Sequence, residues 1–499
     1  MPNLRRFKSF LLIIAFINFF TPFALASQDA VKKETSNEQT TFASPVYRDL
    51  RWQEDWSVLR DATPEQLNSD FWNRIKYIPL NQEQDIWLSL GGELRDRFEW
   101  WNHFNFVGSN NDEFNLYRVL AHADLHVGEH LRFYVEGKSA FSSSRSLPGG
   151  RRISDVDSLA VQQAFVDIKL PVPFHPDWTL TIRPGRQGLE FGSGRLVAYL
   201  PWDNTIRAWD GVTAILNTQQ WQFTAFATQF VQVRKYDYNR SAKGQEFAGV
   251  YAEGNLPDTD IGVDAYWLYN DTDQITFNGI TDGEHRHTFG SRLYGKIPNI
   301  PSNYDAEIAY QTGRFNDRNI SAYMFSVLLD YQFTDKVVTD PRLFIGYDFA
   351  SGGSNTNSKV RTFNQLFNQT HDYLGYTDTL ARQNIIDLHG GFDFHPFRIV
   401  ASLRETGLNK TKATVHYHRF WRASNDDAVY TVTGTPLRTG NGGSSNRIGN
   451  EIDLTLEHPF TRHLLGSLNY SQFDPSRFII QSGSSKQIKF AYAMLKYTI

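Results

Sequence analysis

Apolar and polar side chains alternate with a period of two from near residue 86 over most of the remaining chain. In residues 86–100 the even positions are mostly apolar and end in Trp100, whereas the odd positions include Glu93, Arg95 and Arg97. Successive side chains of a strand point to opposite faces of a sheet, so the pattern predicts strands with one apolar and one charged face. The sequence therefore predicts an all-β chain.

Three features favour a transmembrane antiparallel β-barrel over a soluble sandwich. The alternating segments exceed the about 5 or 6 residues usual in soluble strands and reach the about 9 to 11 that tilted membrane strands need. Charged residues recur on one face, where a water-filled lumen can hydrate them. Short connections alternate with long ones, such as residues 142–158, 192–206 and 270–285. Short periplasmic turns and long extracellular loops are typical of such barrels.

The strand count follows from the same alternation. It gives about 18 strands in residues 85–499, which form the barrel domain. Residues 396–410 fit either an extra strand or a longer periplasmic excursion. We prefer the excursion because an even number of strands closes the barrel.

The N-terminal residues carry features of export. Residues 1–26 combine a positively charged start, a short apolar run and the small-x-small sequence Ala24-Leu25-Ala26, which predicts a cleaved signal peptide. A membrane anchor is disfavoured by Pro22 and by the limited apolar length. Residues 27–84 are interpreted as a periplasmic tail and lead-in segment, with a helix that begins at Pro64. The expected location is the outer membrane of a Gram-negative bacterium.

Composition narrows the chemistry. The 499 residues include no cysteine, which excludes a disulfide scaffold and a cysteine nucleophile. A mean hydropathy of -0.45 argues against a bundle of membrane helices. A net charge of -4 gives no reason to expect nucleic acid as a partner.

No catalytic constellation is found, so we expect neither an enzyme nor a cofactor. His416 and His418 could chelate a metal, but we interpret the pair as incidental because no nearby carboxylate completes the set, and no metal is expected.

The lumen of a barrel of this size is the expected functional surface. Basic residues on the inward faces crowd the first three strands and the tenth, whereas the last strands carry mainly acids. The inward candidates for solute binding are Arg95, Arg97, Arg118, Arg132, Arg183 and Arg292. Rings of arginine attract anions, although each arginine could instead pair with an acid of a neighbouring strand and stiffen the wall. Alternation places Arg183 inward and Arg186 outward unless Pro184-Gly185 forms a bulge.

Several passages resemble the alginate-export family of outer-membrane barrels. They are WLSLGGELR at 87–95, QQAFVD at 162–167, TLTIRPGRQGL at 179–189, GSGRLVAYLPWDNTIRAWDGV at 192–212, TFNQLFNQTHDYLGYTD at 362–378 and GNEIDLTL at 449–456. The resemblance extends from about residue 47 to the C-terminus. It implies a barrel of about 18 strands whose electropositive constriction passes an anionic uronate polysaccharide outward by passive diffusion. The resemblance extends the proposed solute-binding residues of the lumen to the positions that match the family, which are Arg95, Arg183, Arg186, Gln187, Arg195, Arg207 and Asp210.

The leading functional hypothesis is therefore an outer-membrane channel for an alginate-like anionic polysaccharide or oligosaccharide. One alternative is a general or substrate-specific porin for small anionic solutes, and another is a plugged barrel with a structural or adhesion role. The expected partners are the transported saccharide, outer-membrane lipid and periplasmic export components. Residues 351–382, which include Phe363, Phe367, His371 and Tyr373, are either a lid or a solvated outer loop.

Overall fold

Eighteen long strands pair in chain order, and the last strand pairs with the first. The strands are β1 (Ile86–Asn102), β2 (Asp112–Val127), β3 (Leu131–Ser142), β4 (Asp157–Val172), β5 (His175–Gln187), β6 (Trp209–Asn217), β7 (Trp221–Gln232), β8 (Arg240–Asn255), β9 (Ile261–Phe277), β10 (Ile280–Lys296), β11 (Ser302–Phe315), β12 (Arg318–Gln332), β13 (Arg342–Ala350), β14 (Ile385–Phe394), β15 (Lys412–Trp421), β16 (Arg447–Pro459), β17 (Leu464–Pro475) and β18 (Ile488–Thr498). Neighbouring strands are antiparallel, and β1 closes on β18 from Glu93↔Thr498 to Asn102↔Lys489. The predicted barrel and its strand number are confirmed.

The computed structural model describes residues 45–499 except 174, 278–279, 334–336 and 354–358. The chain divides into the units Met1–Ala43 and Ser44–Ile499, and only the second is described below. The predicted signal peptide and the start of the predicted tail therefore lie outside the described residues. No helix among the described residues is long and apolar enough to cross a membrane.

Short elements accompany the barrel strands. Three α-helices are present in the described residues: α1 (Pro64–Asn68), α2 (Asn73–Lys76) and α3 (Arg477–Ser482). The 3₁₀ turns are Arg51–Gln53, Ser57–Leu59, Phe104–Phe106, Pro396–Ile399, Ala401–Leu403, Gly407–Lys410 and Gly440–Gly442. Two-residue segments, Ile78–Pro79 and Lys359–Val360, pair with β1 and β12, and Val429–Tyr430 pairs with Pro436–Arg438 outside the barrel sheet.

The predicted helix start at Pro64 is confirmed. Thr63 and Gln66 form a capping box, in which Gln66 N donates to Thr63 Oγ1 at 3.3 Å and Thr63 N donates to Gln66 Oε1 at 2.7 Å. These two bonds satisfy backbone donors that the first turn of a helix leaves open.

Residues 396–410 form three 3₁₀ turns between β14 and β15 and contribute no strand. This confirms the preferred interpretation of the segment. The sequence also predicts a long loop at residues 270–285, and this prediction is wrong. There β9 continues to Phe277 and β10 begins at Ile280, with a register shift between Thr272 and Ile275. Continued pairing satisfies the backbone polar groups that an open loop would leave to water.

The faces of the barrel reverse the pattern of a soluble protein. On β1, Glu93, Arg95, Arg97 and Glu99 point inward and are buried, whereas the neighbouring Leu94 is 49% exposed. Other exposed apolar side chains belong to the outward sets of their strands, among them Val135, Phe289, Ile308, Ile345 and Leu388. An apolar belt around a charged interior is the arrangement that lipid outside and water inside require.

We call the end at which β1 begins the lower end, and the opposite end the upper end. Connections at the lower end are mostly short, and this end also carries residues 45–85. The upper end carries loop L3 (residues 188–208), loop L7 (residues 351–384) and residues 422–446. L3 and L7 decide the shape of the interior.

Candidate functional site

L3 and L7 fold into the barrel and join each other there. Val197 of L3 and Phe367 of L7 form a parallel β-bridge, and Ala198 N donates to Phe367 O at 2.9 Å. Val197 is 1% exposed and Phe363 is fully buried. The alternative that residues 351–382 form a solvated outer loop is therefore wrong for the described part of this segment. Phe363 and Phe367 belong to the apolar cluster inside the barrel, and Tyr373 packs against it.

Three of the predicted lumen arginines hold L3 by its backbone. Arg95 donates to the carbonyl oxygens of residues 201, 202 and 203 at 2.8, 3.0 and 3.0 Å. Arg118 donates to the carbonyls of residues 201 and 203 at 2.8 and 2.7 Å, and Arg97 donates to that of residue 202 at 2.6 Å. The guanidinium fork suits this role because it presents five donors in a fixed plane. These arginines bind the chain's own loop rather than line an open passage.

Most of the predicted basic residues also form ion pairs inside the wall or across the lumen. The pairs are Arg97–Glu99 at 2.8 Å, Arg118–Glu93 at 2.6 Å, Arg132–Asp124 at 2.5 Å, Arg183–Asp167 at 2.6 Å, Arg195–Asp305 at 2.8 Å and Arg292–Asp305 at 2.6 Å. The interpretation that such residues pair with acids of neighbouring strands holds for four of them, namely Arg118, Arg132, Arg183 and Arg292. Arg97 pairs with an acid of its own strand, and Arg195 reaches from L3 to β11. Because acids neutralise these arginines, the number of arginines alone does not indicate the electropositive constriction that the resemblance implies.

Arg95 and Arg207 differ from this set. Neither lies at salt-bridge distance from a carboxylate in the described part of the chain. Arg207 Nη1 donates to the carbonyl oxygens of Ala198 at 3.3 Å and Asn368 at 2.9 Å, so it ties L3 to L7. Burial lowers the pKa of Arg207 to about 10, which leaves it charged at neutral pH. Two guanidinium charges thus remain without an ion-pair partner where the loops meet.

Arg186 and Asp210 lie on the opposite side of the wall from Arg183. Arg186 pairs with Asp210 at 2.7 Å, on the face that alternates with the buried Arg183 and Gln187. Their proposed place in the lumen is therefore wrong, and the physical reason is the alternation itself, since β5 and β6 stay in register from residue 179 to 187. Gln187 points inward, where its amide nitrogen lies 3.4 Å from the carbonyl of Arg183.

We call residues 45–85 the N-terminal segment. Its first part enters the barrel from the lower end. Arg132 donates to the carbonyl oxygen of Trp52 at 2.7 Å, and the Trp52 ring lies 3.7 Å from the Arg183 guanidinium carbon. Leu50 packs in an apolar cluster with Tyr199 of L3. The sequence predicts a periplasmic tail and lead-in segment at residues 27–84 and does not predict this contact. Trp52 and Trp56, aromatic residues in a polar stretch, are the signal that could have indicated it.

Carboxylates line the water-accessible region between the N-terminal segment and the loops. Asp49, Glu190 and Asp372 are exposed there and come from three different segments. Limited hydration raises the pKa of Glu190, and the charges of Asp49 and Asp372 raise it further. The charge of this region is therefore mixed, with acids facing water and arginines buried behind the loops.

A cavity of about 490 Å³ opens near the lower end, between the turn that joins β8 to β9 and strands β10, β11 and β12. Its lining includes Arg292, Tyr294, Lys296, Asn303 and Asp330. The Arg292 guanidinium carbon lies 4.1 Å from the centre of the Tyr294 ring. The lining carries charges of both signs, because Asp260, Asp305 and Asp330 lie in the same cavity as the two cations. Its polar groups and its aromatic ring can hydrogen-bond a polar solute and stack on it.

The sequence predicts that His416 and His418 are an incidental pair, but the structure brings them together with a third histidine. His416 and His418 on β15 lie beside His389 on β14, and Asp348 and Asp387 lie close to them. The statement that no nearby carboxylate completes the set is wrong, because the carboxylates come from neighbouring strands far away along the chain. Only the register of β13, β14 and β15 brings these residues together.

Comparisons with known proteins agree with this architecture. A family model described as alginate export matches residues 86–492. No curated protein matches the sequence significantly.

Solved structures of similar fold include three proteins of Pseudomonas aeruginosa. OccK2 (OpdF) has a TM-score of 0.54 at 10% identity and covers 83% of this chain and 97% of its own. OccD3 (OpdP) has a TM-score of 0.53 at 8% identity, with coverages of 82% and 91%. OpdK, solved with vanillate, has a TM-score of 0.51 at 12% identity, with coverages of 82% and 98%. At these identities the likeness concerns the fold.

Proposed function

Because the chain belongs to the alginate-export family, we propose that it passes an acidic, alginate-like polysaccharide or oligosaccharide across the outer membrane by passive diffusion. Family and fold support an outer-membrane channel. In the proposal, the lower end with residues 45–85 faces the periplasm, and the lumen between the N-terminal segment, L3 and L7 is the route. Outer-membrane lipid surrounds the apolar belt, and periplasmic export components would meet the lower end.

The observation that carries the choice of an anionic solute is that Arg95 and Arg207 have no carboxylate at salt-bridge distance in the described part of the chain. A buried charge without a partner projects a field that low-dielectric walls concentrate. At an effective dielectric constant between those of protein and water, each charge contributes on the order of 1 kcal/mol to a carboxylate several ångströms away. In the lower cavity Lys296 adds a further cation, whereas Arg292 is paired with Asp305.

The test is ion conductance of the refolded full chain in a planar bilayer, with the reversal potential and block by an oligouronate. We expect anion preference and block that a neutral oligosaccharide of equal length does not reproduce. The double variant R95Q/R207Q should lower the anion preference and weaken the block about tenfold, which corresponds to about 1.4 kcal/mol.

Two controls separate charge from loop anchoring. R95K/R207K keeps both charges but loses the planar fork, so it should retain the anion preference even if L3 loosens. R186Q removes an arginine of the outer face and should leave selectivity and block unchanged. A cation-preferring current without block in the unaltered chain would contradict the proposal and favour a porin.

The packing of L3, L7 and residues 45–57 inside the barrel favours a second candidate, a plugged barrel with a structural or adhesion role. The same bilayer experiment separates the two, since a plugged barrel gives no current. Replacing residues 363–379 by a short glycine-serine linker then tests L7 as a lid. Permeability should rise if L7 closes the route, and unchanged permeability rejects the lid.

A further inference from the structure

Three histidines meet on the inner face of the barrel wall. His389 on β14 pairs in register with His418 on β15. His416 lies two residues before His418 on the same face of β15. His389 Nδ1 lies 2.9 Å from His416 Nε2, and one ligand atom from each of the three side chains lies within 4.8 Å of the others. The spacing along a single strand cannot show this cluster, because its third member lies on the next strand.

Carboxylates orient two of the rings. His389 Nε2 lies 3.2 Å from Asp348 Oδ2, and His418 Nδ1 lies 2.7 Å from Asp387 Oδ2. An imidazole that donates one N–H to a carboxylate presents the lone pair of its other nitrogen. The nitrogens left for a ligand are then Nδ1 of His389 and Nε2 of His418, and His416 Nε2 faces the first of them.

One of these nitrogens is buried without a hydrogen-bond partner among the described residues. His418 is fully buried, and its Nε2 has no hydrogen-bond partner among the described residues. The nearest carboxylate oxygen, Asp453 Oδ2, lies 3.8 Å away, beyond hydrogen-bond distance. Asp387 Oδ1 is likewise buried and has no hydrogen-bond partner in the described part of the chain. Buried polar atoms of this kind are rare in native proteins and call for an explanation.

The charge of the cluster also indicates a cation. Asp348, Asp387, Glu451 and Asp453 are buried on the inward faces of β13 to β16. Within the described residues, Arg382 is the one arginine or lysine that forms an ion pair with this group, through Asp348. Four buried carboxylates beside one guanidinium are costly unless a further positive charge is bound.

Gly346 of β13 makes room for the arrangement. It lies opposite His389 in the register, and a Cβ atom at this position would approach His389 Nε2 to 2.1 Å. Any larger residue would therefore move the ring away from Asp348.

We propose that His389, His416 and His418 bind one divalent transition metal ion, with Zn²⁺ as the best match, and that Asp348 and Asp387 orient the ligands. Three imidazoles with carboxylates behind them form a donor set that suits zinc, copper or nickel, whereas calcium and magnesium prefer oxygen. The cation supplies the missing positive charge and takes the lone pairs of His389 Nδ1 and His418 Nε2. The site joins β14 to β15 and, through Asp348 and Arg382, stands next to L7.

The test is metal binding by the full chain, refolded without a polyhistidine tag and stripped with a chelator. Calorimetry and elemental analysis should show one Zn²⁺ per chain, with Ca²⁺ binding at least 100-fold weaker. H418Q should weaken Zn²⁺ binding at least 100-fold, and D387N about tenfold to 100-fold, the range typical of residues that orient a metal ligand. H285Q is the matched control, because His285 pairs with Asp271 outside the cluster and its loss should change nothing.

Two results would overturn the proposal: Zn²⁺ binding that H418Q leaves intact, or no stoichiometric binding by the unaltered chain. Folding of each variant is checked by its heat-modifiable mobility on a gel. If H418Q does not fold, Co²⁺ absorption of the unaltered chain decides the question. Intense visible bands of a four-coordinate nitrogen site support the proposal, whereas the weak bands of an octahedral ion contradict it. Neither measurement depends on transport, so the metal site is tested independently of the proposed solute.

Discussion

Lys76 lies buried at the end of α2, among aromatic rings at the lower mouth of the barrel. Its Nζ is 4.8 Å from the centre of the Trp56 ring and 5.6 Å from that of Tyr47, and it has no hydrogen-bond partner among the described residues. Burial and, to a smaller extent, the charge of Arg51 lower the pKa of Lys76 to about 7. The stability of the region around Lys76 is therefore expected to depend on pH.

The sign of this effect follows from proton linkage. Between pH 7 and 10.5 the unfolded chain keeps the lysine proton and the folded chain releases it, so the stability of this region should rise with pH. The slope is at most about 1.4 kcal/mol per pH unit, and the contribution is constant below pH 7. K76M should stabilise the protein at pH 7 and remove the slope.

The measurement is thermal unfolding in detergent at pH 7 and pH 9.5, together with protease sensitivity of residues 45–77. K486M, at an exposed lysine, is the control and should keep the pH dependence of the unaltered chain. Equal pH profiles for K76M and the unaltered chain would refute the assignment.

At the scale of elements, one asparagine anchors L3 to three other segments. The Asn204 amide nitrogen lies 3.1, 3.0 and 2.8 Å from the carbonyl oxygens of Tyr117, Phe141 and Asp155. Its Oδ1 accepts from Arg95 Nη2 at 3.2 Å. The side chain is 1% exposed, so water cannot replace these partners. Asn204 therefore fixes the position of L3 in the lumen.

N204A should release L3 from β2 and β3. The loss of buried hydrogen bonds is expected to lower the free energy of unfolding by about 1 to 3 kcal/mol. Single-channel recordings should show a larger and noisier conductance, because the loop then moves within the route. N102A, which removes an exposed amide near the upper end, should change neither quantity. A quiet, unchanged current from N204A would show that L3 does not border the route.

The sequence predicts strands well and inner loops poorly. Alternation placed β1 and β2 correctly because each side chain faces either lipid or lumen, and both environments select residues strongly. The burial of L3 and L7 inside the barrel cannot be predicted from this alternation. Their burial depends on contacts such as Arg95 with the carbonyls of L3, which backbone groups make without any residue pattern. The inward side of Arg183 was predictable, but its partner Trp52 lies about 130 residues earlier, and only the closed barrel brings them together.

At the scale of the whole molecule, the pairing of β1 with β18 closes the wall of the described barrel, so the lumen is the route that the proposed function requires. The antiparallel register pairs Phe98 with Ala493 and Leu94 with Tyr497. Residues directly opposite each other in such a pair have Cα atoms about 4.5 to 5.5 Å apart, within the reach of a disulfide. The natural chain has no cysteine, so an introduced pair reports on this contact alone.

The double variant F98C/A493C should form an intramolecular disulfide on oxidation. The denatured product then migrates as a covalent circle on a gel, and reduction reverses the shift. L94C/A493C is the matched control, because a four-residue offset separates its cysteines by about 13 Å along the strands. Cross-linking of the control to the same extent would contradict the register. Oxidised F98C/A493C should keep the conductance of the reduced form, since the bridge lies in the wall and leaves L3, L7 and the N-terminal segment untouched. A current abolished by the bridge would mean that solutes pass between β1 and β18 rather than through the lumen.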